Sequence, residues 1–376
     1  MSSPAATDRV SGVDAPAAPR RRWRARMAAL AAGLIVGALL AEALVLLVAG
    51  EQPKFPRHVV RAPWGLRYNE PGARYWHRSA DITVEFRINA QGMRSDRDVP
   101  FAKPPGVRRI VSLGDSFTIG YEVDVAACFS TVLGDELGRA GREVEVLNTG
   151  VSGFSTAEEL LYLERELWRY DPDLVLVSFY SNDLEDNLRT GLFDVRDGAL
   201  VSTAAEYLPG GAVADLLNTN PLIAMLMEHS NALAFANEHL TAALKQRLDR
   251  RAIAARRRSA SGPTAADPAG ELTAALFERL YAVTRAHGVP LVIQSIPSIT
   301  YPGTGGPPVL VEHFPVDAID LTRPGLRFVA AREALEPFRG TTLLYWTRSH
   351  GHWTPFSHAV AGRALASVIL QEGLLR

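Results

Sequence analysis

The sequence predicts an α/β fold in which a parallel β-sheet lies between layers of α-helices. Between residues 108 and 370, short apolar runs of strand length alternate with longer segments of helical periodicity. The run at 174–179 is almost continuously apolar, as expected for a strand with helices over both sheet faces. Strands that alternate with helices in this way are typical of a parallel sheet whose crossover connections are helical.

The first fifty residues indicate a membrane anchor. Residues 1–26 are rich in Ser, Ala and Pro and end in an arginine cluster, and residues 27–49 are almost entirely apolar, with Glu42 as the one charge. A bilayer is spanned by about 20 apolar residues, and a basic flank stays in the cytoplasm. Cleavage after Gly50, as in a signal peptide, is the alternative. We expect a single-pass anchor in the cell (inner) membrane, with everything after residue 50 outside the cytoplasm.

The remaining chain divides into a leader at 50–106 and a main domain at 107–376 that carries an insertion at about 190–270. In the leader, apolar residues alternate with polar ones over 82–89, which predicts a half-buried strand. In the insertion, 212–244 is apolar and predicted to be helical, and a basic stretch and a flexible linker follow it. Strands in the main domain are predicted at 110–113, 144–147, 174–179, 291–296 and 342–345, and helices at 128–140, 155–170, 271–287 and 355–370.

Composition excludes several classes of function. The 376 residues carry a formal net charge of −1, so no overall basic surface argues for nucleic acid. Cys128 is the single cysteine, which rules out an intramolecular disulfide and a cysteine-based zinc site. We interpret it as a small buried apolar residue.

Four polar motifs follow the predicted strands. Ser116 lies in Gly-Asp-Ser-Phe-Thr after the first strand, and Gly153 closes Asn-Thr-Gly-Val-Ser-Gly after the second. Asn182 lies in Tyr-Ser-Asn-Asp after the third strand, and His352 lies in His-Gly-His-Trp-Thr-Pro before the last helix. Functional side chains collect at the carboxyl ends of strands in open parallel sheets. Each motif alone also fits an ordinary turn, and the two histidines lack a nearby Glu or Cys to complete a metal site.

Taken together and in this order, the four motifs make the chain resemble the SGNH hydrolase family, also called GDSL esterases and lipases. The resemblance covers roughly 108–190 and 289–370. It implies a flavodoxin-like three-layer αβα sandwich without metal or cofactor, and hydrolysis of ester bonds through an acyl-enzyme.

The resemblance also assigns roles to individual residues. Ser116 matches the family's nucleophile and His352 its general base. The oxyanion hole would consist of the Ser116 N–H, the Gly153 N–H and the Asn182 side chain.

The chain departs from the family pattern in one position. The family usually has an Asp two or three residues before the histidine, where this chain has His350 and Ser349. A Ser-His dyad could work with a backbone carbonyl holding the ring, or the protein could be a weakened or non-catalytic relative. A third explanation is an acid from elsewhere in the chain, such as Asp183, Asp186, Asp317 or Asp320.

We therefore expect an extracytoplasmic serine hydrolase that cleaves acyl or acetyl ester bonds of a small molecule, glycan or lipid, and that binds the membrane through residues 27–49. Acyl transfer to a cell-surface glycan is an alternative, because the same acyl-enzyme serves both reactions. A non-catalytic binding protein on the same fold is another, because the usual Asp is missing.

Overall fold

The computed structural model describes residues 19–56, 58–209, 220–241, 267–303 and 305–375, together with 247, 250, 251, 253 and 254. The predicted N-terminal tail up to residue 18, parts of the apolar stretch 212–244, and most of the basic stretch and linker lie outside these residues. The chain divides into two units, 1–50 and 51–376.

The first unit contains one long helix, α1 (Pro19–Ala49). Its segment Arg22–Ala49 is the one helix in the described part of the chain that is long and apolar enough to cross a membrane. A signal sequence near the N-terminus can also be apolar enough to fit this description.

The leader of the second unit consists of two antiparallel hairpins. Their strands are β1 (Val59–Arg61), β2 (Arg67–Asn69), β3 (Arg74–Arg78) and β4 (Thr83–Arg87). In β4, Val84 and Phe86 are buried, whereas Thr83 and Arg87 are exposed. The alternation in the sequence thus predicted this half-buried strand correctly.

Five strands among the described residues form one parallel sheet at the centre of the unit. In chain order they are β5 (Arg108–Leu113), β6 (Val144–Asn148), β7 (Leu174–Phe179), β10 (Leu291–Ser295) and β13 (Leu326–Ala330). Two short hairpins lie between them, β8 (Phe193–Arg196) with β9 (Ala199–Ser202), and β11 (Ser298–Thr300) with β12 (Val309–Val311). The spatial order β6-β5-β7-β10-β13 is the 2-1-3-4-5 order of a flavodoxin-like sheet, which confirms the predicted fold class.

Helices cover both faces of this sheet. The helices of this unit are α2 (Ser116–Ile119), α3 (Phe129–Arg139), α4 (Thr156–Arg165), α5 (Asp183–Thr190), α6 (Pro221–His229), α7 (Asn231–Ala236), α8 (Pro268–Ala286), α9 (Ala331–Leu335) and α10 (Pro355–Gln371). Val175 and Val177 of β7 pack against α4 and α8, whereas Leu174 and Leu176 pack against α3 and α10. Successive strand side chains point to opposite faces, so this one apolar strand supplies two cores.

One predicted strand is wrong. Residues 342–345 form no sheet strand; Leu344 and Tyr345 are buried, and Tyr345 makes only an isolated bridge to Trp353. The fifth sheet strand is β13, which the sequence analysis missed. Because β13 lies at the sheet edge and is only partly buried, it lacks the continuous apolar run that marks β7.

Candidate active site

Ser116 lies at the carboxyl end of β5, where the sheet order reverses between β5 and β7. The Asp115 carboxylate caps α2 by accepting the Phe117 N–H at 2.9 Å. Capping fixes the sharp turn from strand to helix, and Ser116 is the first residue of that helix. The Ser116 hydroxyl is therefore presented at a topological switch point, where open α/β sheets bind their ligands.

His352 approaches this serine from the loop before α10. Its Nε2 lies 2.9 Å from Ser116 Oγ, although the two residues are far apart in the sequence. The His352 carbonyl accepts the Trp346 N–H at 2.9 Å, and the imidazole packs beside the rings of Phe117 and Tyr121. These contacts hold the imidazole within hydrogen-bond reach of a nucleophilic oxygen, the geometry that activates a serine.

A carboxylate that the sequence analysis did not name reaches the other side of the imidazole. Glu122 Oε2 lies 3.0 Å from His352 Nδ1 and also accepts the His352 backbone N–H at 3.2 Å. The Glu122 side chain is fully buried. Burial raises the pKa of Glu122, but the hydrogen bonds and positive charge of His352, with a contact from Ser349, outweigh it and hold that pKa below its usual value.

The four acids considered from the sequence lie elsewhere. Asp183 accepts the Tyr180 N–H, Asp186 pairs with Arg189, and Asp320 bonds Thr322. Asp317 lies in the short 3₁₀ turn Val316–Ala318. In the sequence, Glu122 could have been noticed only because it lies just after the Ser116 motif. Sequence spacing alone does not distinguish it from other acidic residues in loops.

The loop after β6, residues 149–154, is tied to the nucleophile turn. The Thr149 N–H donates to the Ser112 carbonyl at 3.0 Å, and the Val151 N–H to the Gly114 carbonyl at 3.0 Å. Gly153 has φ +74°, a left-handed conformation that favours glycine. Among the described residues, neither the Gly153 N–H nor the Ser116 N–H donates to a protein acceptor, so both donors are free for a ligand oxygen.

Residues of the leader, which lie outside the family motifs, donate hydrogen bonds to this glycine loop. Arg67 of β2 donates through Nη2 to the Gly153 carbonyl at 2.5 Å, and Asn69 donates to the Gly150 carbonyl at 2.9 Å. Arg67 Nε also lies 3.6 Å from the buried carboxylate of Glu158. The loop is therefore positioned by a segment more than eighty residues earlier in the chain.

Asn182 is the residue directly before α5, at the end of β7. Its side-chain amide donates to Asp186 Oδ2 at 3.3 Å and lowers the pKa of the neighbouring Asp115 carboxyl. Burial raises the pKa of Asp115 to about 6, against the opposing effect of the Phe117 N–H, the His352 charge and the Asn182 amide. The amide of Asn182 is thus held next to the turn that carries Ser116.

The described residues contain no group of three or more His, Cys, Asp or Glu side chains that could hold a metal ion. His350 lies 3.7 Å from Glu238 and packs against Phe55. Cys128 is fully buried, and burial raises the pKa of its thiol to about 11, which suits the apolar role predicted for it.

With this geometry established, residues 112–294 match the family described as GDSL-like Lipase/Acylhydrolase. This segment is similar to GDSL-like lipases and acylhydrolases. Lipases and acylhydrolases cleave ester bonds, which is the class of reaction expected from the four motifs. The matched segment includes β5, β6 and β7 and the loops that carry Ser116, Gly153 and Asn182.

Individual relatives are more distant. An arylesterase from Vibrio mimicus is 35% identical over 75 residues, which is 20% of this chain and 38% of that protein. A GDSL-like lipase from Bacteroides thetaiotaomicron is 12% identical, covers 73% of this chain and 93% of its own, and gives a TM-score of 0.33. An acetyl-xylooligosaccharide esterase from Geobacillus stearmophilus is 12% identical, covers 70% of this chain and 94% of its own, and gives a TM-score of 0.38.

Proposed function

We propose that this protein is a serine esterase in which Ser116 is the nucleophile and His352 the general base. The observation that carries the proposal is the 2.9 Å contact between His352 Nε2 and Ser116 Oγ in a GDSL-like domain. A serine hydroxyl is a weak nucleophile until an adjacent base accepts its proton, and an imidazole at this distance meets that need.

The reaction proceeds through an acyl-enzyme. Ser116 Oγ attacks the ester carbonyl carbon while its proton moves to His352 Nε2. The carbonyl oxygen becomes an oxyanion, which accepts hydrogen bonds from the Ser116 and Gly153 N–H groups and the Asn182 amide. The C–O bond to the alcohol then breaks, and the alcohol leaves with the proton from Nε2. Water attacks the acyl-enzyme, gives a proton to the same nitrogen, and releases the acid as Ser116 recovers its hydrogen.

We place the enzyme in the inner membrane with its catalytic unit outside the cytoplasm. The support is the apolar helix Arg22–Ala49 and the arginine cluster at its N-terminal end, which favours a cytoplasmic N-terminus. The reachable substrates would then be acyl or acetyl esters of small molecules, surface glycans or lipids.

The described part of the insertion supports a role in substrate access. Glu238 lies 3.7 Å from His350, two residues before the proposed base. Leu222, Met225 and Leu226 of α6 expose 60%, 52% and 42% of their surface. An exposed apolar helix face in a segment that reaches the catalytic loop suits a lid or acyl-binding element for an apolar ester.

Hydrolysis of p-nitrophenyl acetate and longer p-nitrophenyl esters by the detergent-solubilised full chain tests this function. We expect turnover that Ser116→Ala and His352→Ala both abolish, while the variants keep the wild-type melting temperature. Turnover unchanged in Ser116→Ala would contradict the proposal. Faster acyl release to an added sugar than to water would identify the protein as an acyltransferase that uses the same acyl-enzyme.

A further inference from the structure

We propose that Glu122 is the acid that orients His352. Glu122 lies in the turn that follows the nucleophile Ser116, whereas the family usually has this acid two or three residues before the histidine. This inference rests on the proposed function, because it names the positioning residue of that same reaction. It starts from the contact between Glu122 Oε2 and His352 Nδ1, which measures 3.0 Å.

The backbone after Ser116 is shaped to bring this carboxylate back over the nucleophile. Helix α2 ends at Ile119, Gly120 caps it with φ +77°, and the Tyr121 N–H donates to the Ser116 carbonyl at 3.0 Å. A Cβ on Gly120 would lie 2.2 Å from Cys128 Sγ, so the turn requires glycine there. Glu122 itself has φ +64°, a left-handed conformation that is uncommon for a residue with a side chain.

Neighbouring elements hold this strained residue on both sides. Tyr121 is buried among Tyr75, Phe86 and other apolar residues of the leader. The Glu122 carbonyl accepts the Trp346 Nε1–H at 3.2 Å, and the Val123 carbonyl accepts an N–H of Arg94 at 3.1 Å. Strained backbone persists where surrounding contacts over-determine it, and it is concentrated at functional sites.

The charge of Glu122 is suited to the role. Its pKa is held below the usual value, so the carboxylate stays ionised at neutral pH and faces the Nδ1–H that His352 carries while Nε2 accepts the serine proton. When Nε2 takes that proton, the imidazolium lies against a fully buried negative charge. The proton remains on His352 until the alcohol leaves, and Glu122 stays ionised throughout.

Other titratable groups surround His352. His77 and His358 are buried, and burial lowers the pKa of both, so they remain neutral near pH 7. Asp115 interacts with His352 by charge, and its pKa is raised to about 6. The His350 ring lies 6.5 Å from the His352 ring, centroid to centroid. Among these groups, Glu122 is the carboxylate with a hydrogen bond to the imidazole.

A purely structural role is the competing explanation, because Glu122 Oε2 also accepts the His352 backbone N–H at 3.2 Å. Glu122→Gln separates the two roles, since an amide oxygen still accepts that N–H but carries no charge. We expect kcat/KM on p-nitrophenyl acetate to fall by about 10²–10⁴-fold, the range seen when such an acid is neutralised. The acidic limb of the pH–kcat/KM profile should also move to lower pH, because the imidazolium loses its counter-charge.

Glu122→Gly provides a second variant that suits the positive φ, and Asp197→Gly is its matched control, because Asp197 has φ +52° in the exposed β8–β9 turn. We expect Glu122→Gly to lose activity as Glu122→Gln does, and Asp197→Gly to keep it. A folded Glu122→Gln enzyme within threefold of wild type, or one with reduced kcat/KM and an unmoved acidic limb, would overturn the role of Glu122. Wild-type turnover that survives Ser116→Ala would instead overturn the proposed function.

Discussion

Replacing Asp115 with asparagine should make the stability of the folded protein fall less as the pH rises. Asp115, Glu159 and Asp183 are fully buried, and burial, with a smaller contribution from neighbouring carboxylates, raises the pKa of each. Glu159 has no hydrogen-bond partner for either carboxylate oxygen among the described residues. These groups favour the protonated state in the folded protein, whereas the unfolded chain releases their protons at about pH 4.

The sign and size follow from proton linkage. A folded-state pKa above the unfolded value means that the native state holds a proton that the unfolded state has lost, so stability is full below about pH 4 and falls as pH rises. For Asp115 the pKa rises from 3.8 to about 6. At 1.36 kcal/mol per pKa unit, this difference contributes about 3 kcal/mol to the free energy of unfolding, and the contribution is lost mainly between about pH 4 and pH 7.

Thermal unfolding of the full chain in detergent, followed by tryptophan fluorescence from pH 5 to pH 8, measures this effect. The asparagine side chain would keep the oxygen that caps α2 without a titrating proton, so the melting temperature of Asp115→Asn should fall less with pH than that of wild type, by several degrees. Asp124→Asn is the control, since Asp124 caps an exposed 3₁₀ turn by the same kind of bond, at 2.9 Å. Parallel pH slopes for wild type and Asp115→Asn would refute the reasoning.

Four other outcomes are expected. Asn182→Ala should lower kcat by about 10²–10³-fold with little change in melting temperature, and an unchanged kcat would remove its amide from the oxyanion hole. Arg67→Met should lower kcat/KM at least about tenfold by loosening the glycine loop, whereas Arg61→Met, which breaks only an exposed pair with Glu206, should not. His350→Asp should raise kcat less than about twofold if Glu122 already accepts the hydrogen bond from His352 Nδ1, so a tenfold gain would contradict the proposed role of Glu122. A periplasm-only reporter fused after residue 60 should be active, and activity of a cytoplasm-only reporter there would contradict the topology.

The parts of this fold that could be predicted from sequence are those with local signals. β7 is apolar on both faces because two helical layers cover it, and its length separates it from a helix. The helix after Ser155 has a capping box with Glu158, which the structure contains. By contrast, β13 is a partly buried edge strand, and the burial of Tyr345 comes from packing instead of sheet pairing.

The parts of the site that escaped prediction depend on contacts between distant residues. The loop residues Ser116, Gly153 and Asn182 could be recognised because each follows a strand in a known motif. Arg67 belongs to the leader, and nothing in its local sequence indicates a bond to the Gly153 carbonyl. Glu122 is close to Ser116 in sequence, but only its left-handed backbone directs the carboxylate to His352.

Ser116 should react as an activated nucleophile. Intact-mass and peptide mapping of the full chain after treatment with a fluorophosphonate probe tests it without any assumption about the natural ester. We expect one adduct, on Ser116, which disappears in Ser116→Ala and forms far more slowly in His352→Ala. A folded wild-type protein that remains unlabelled, or that is labelled equally well in His352→Ala, would contradict the account.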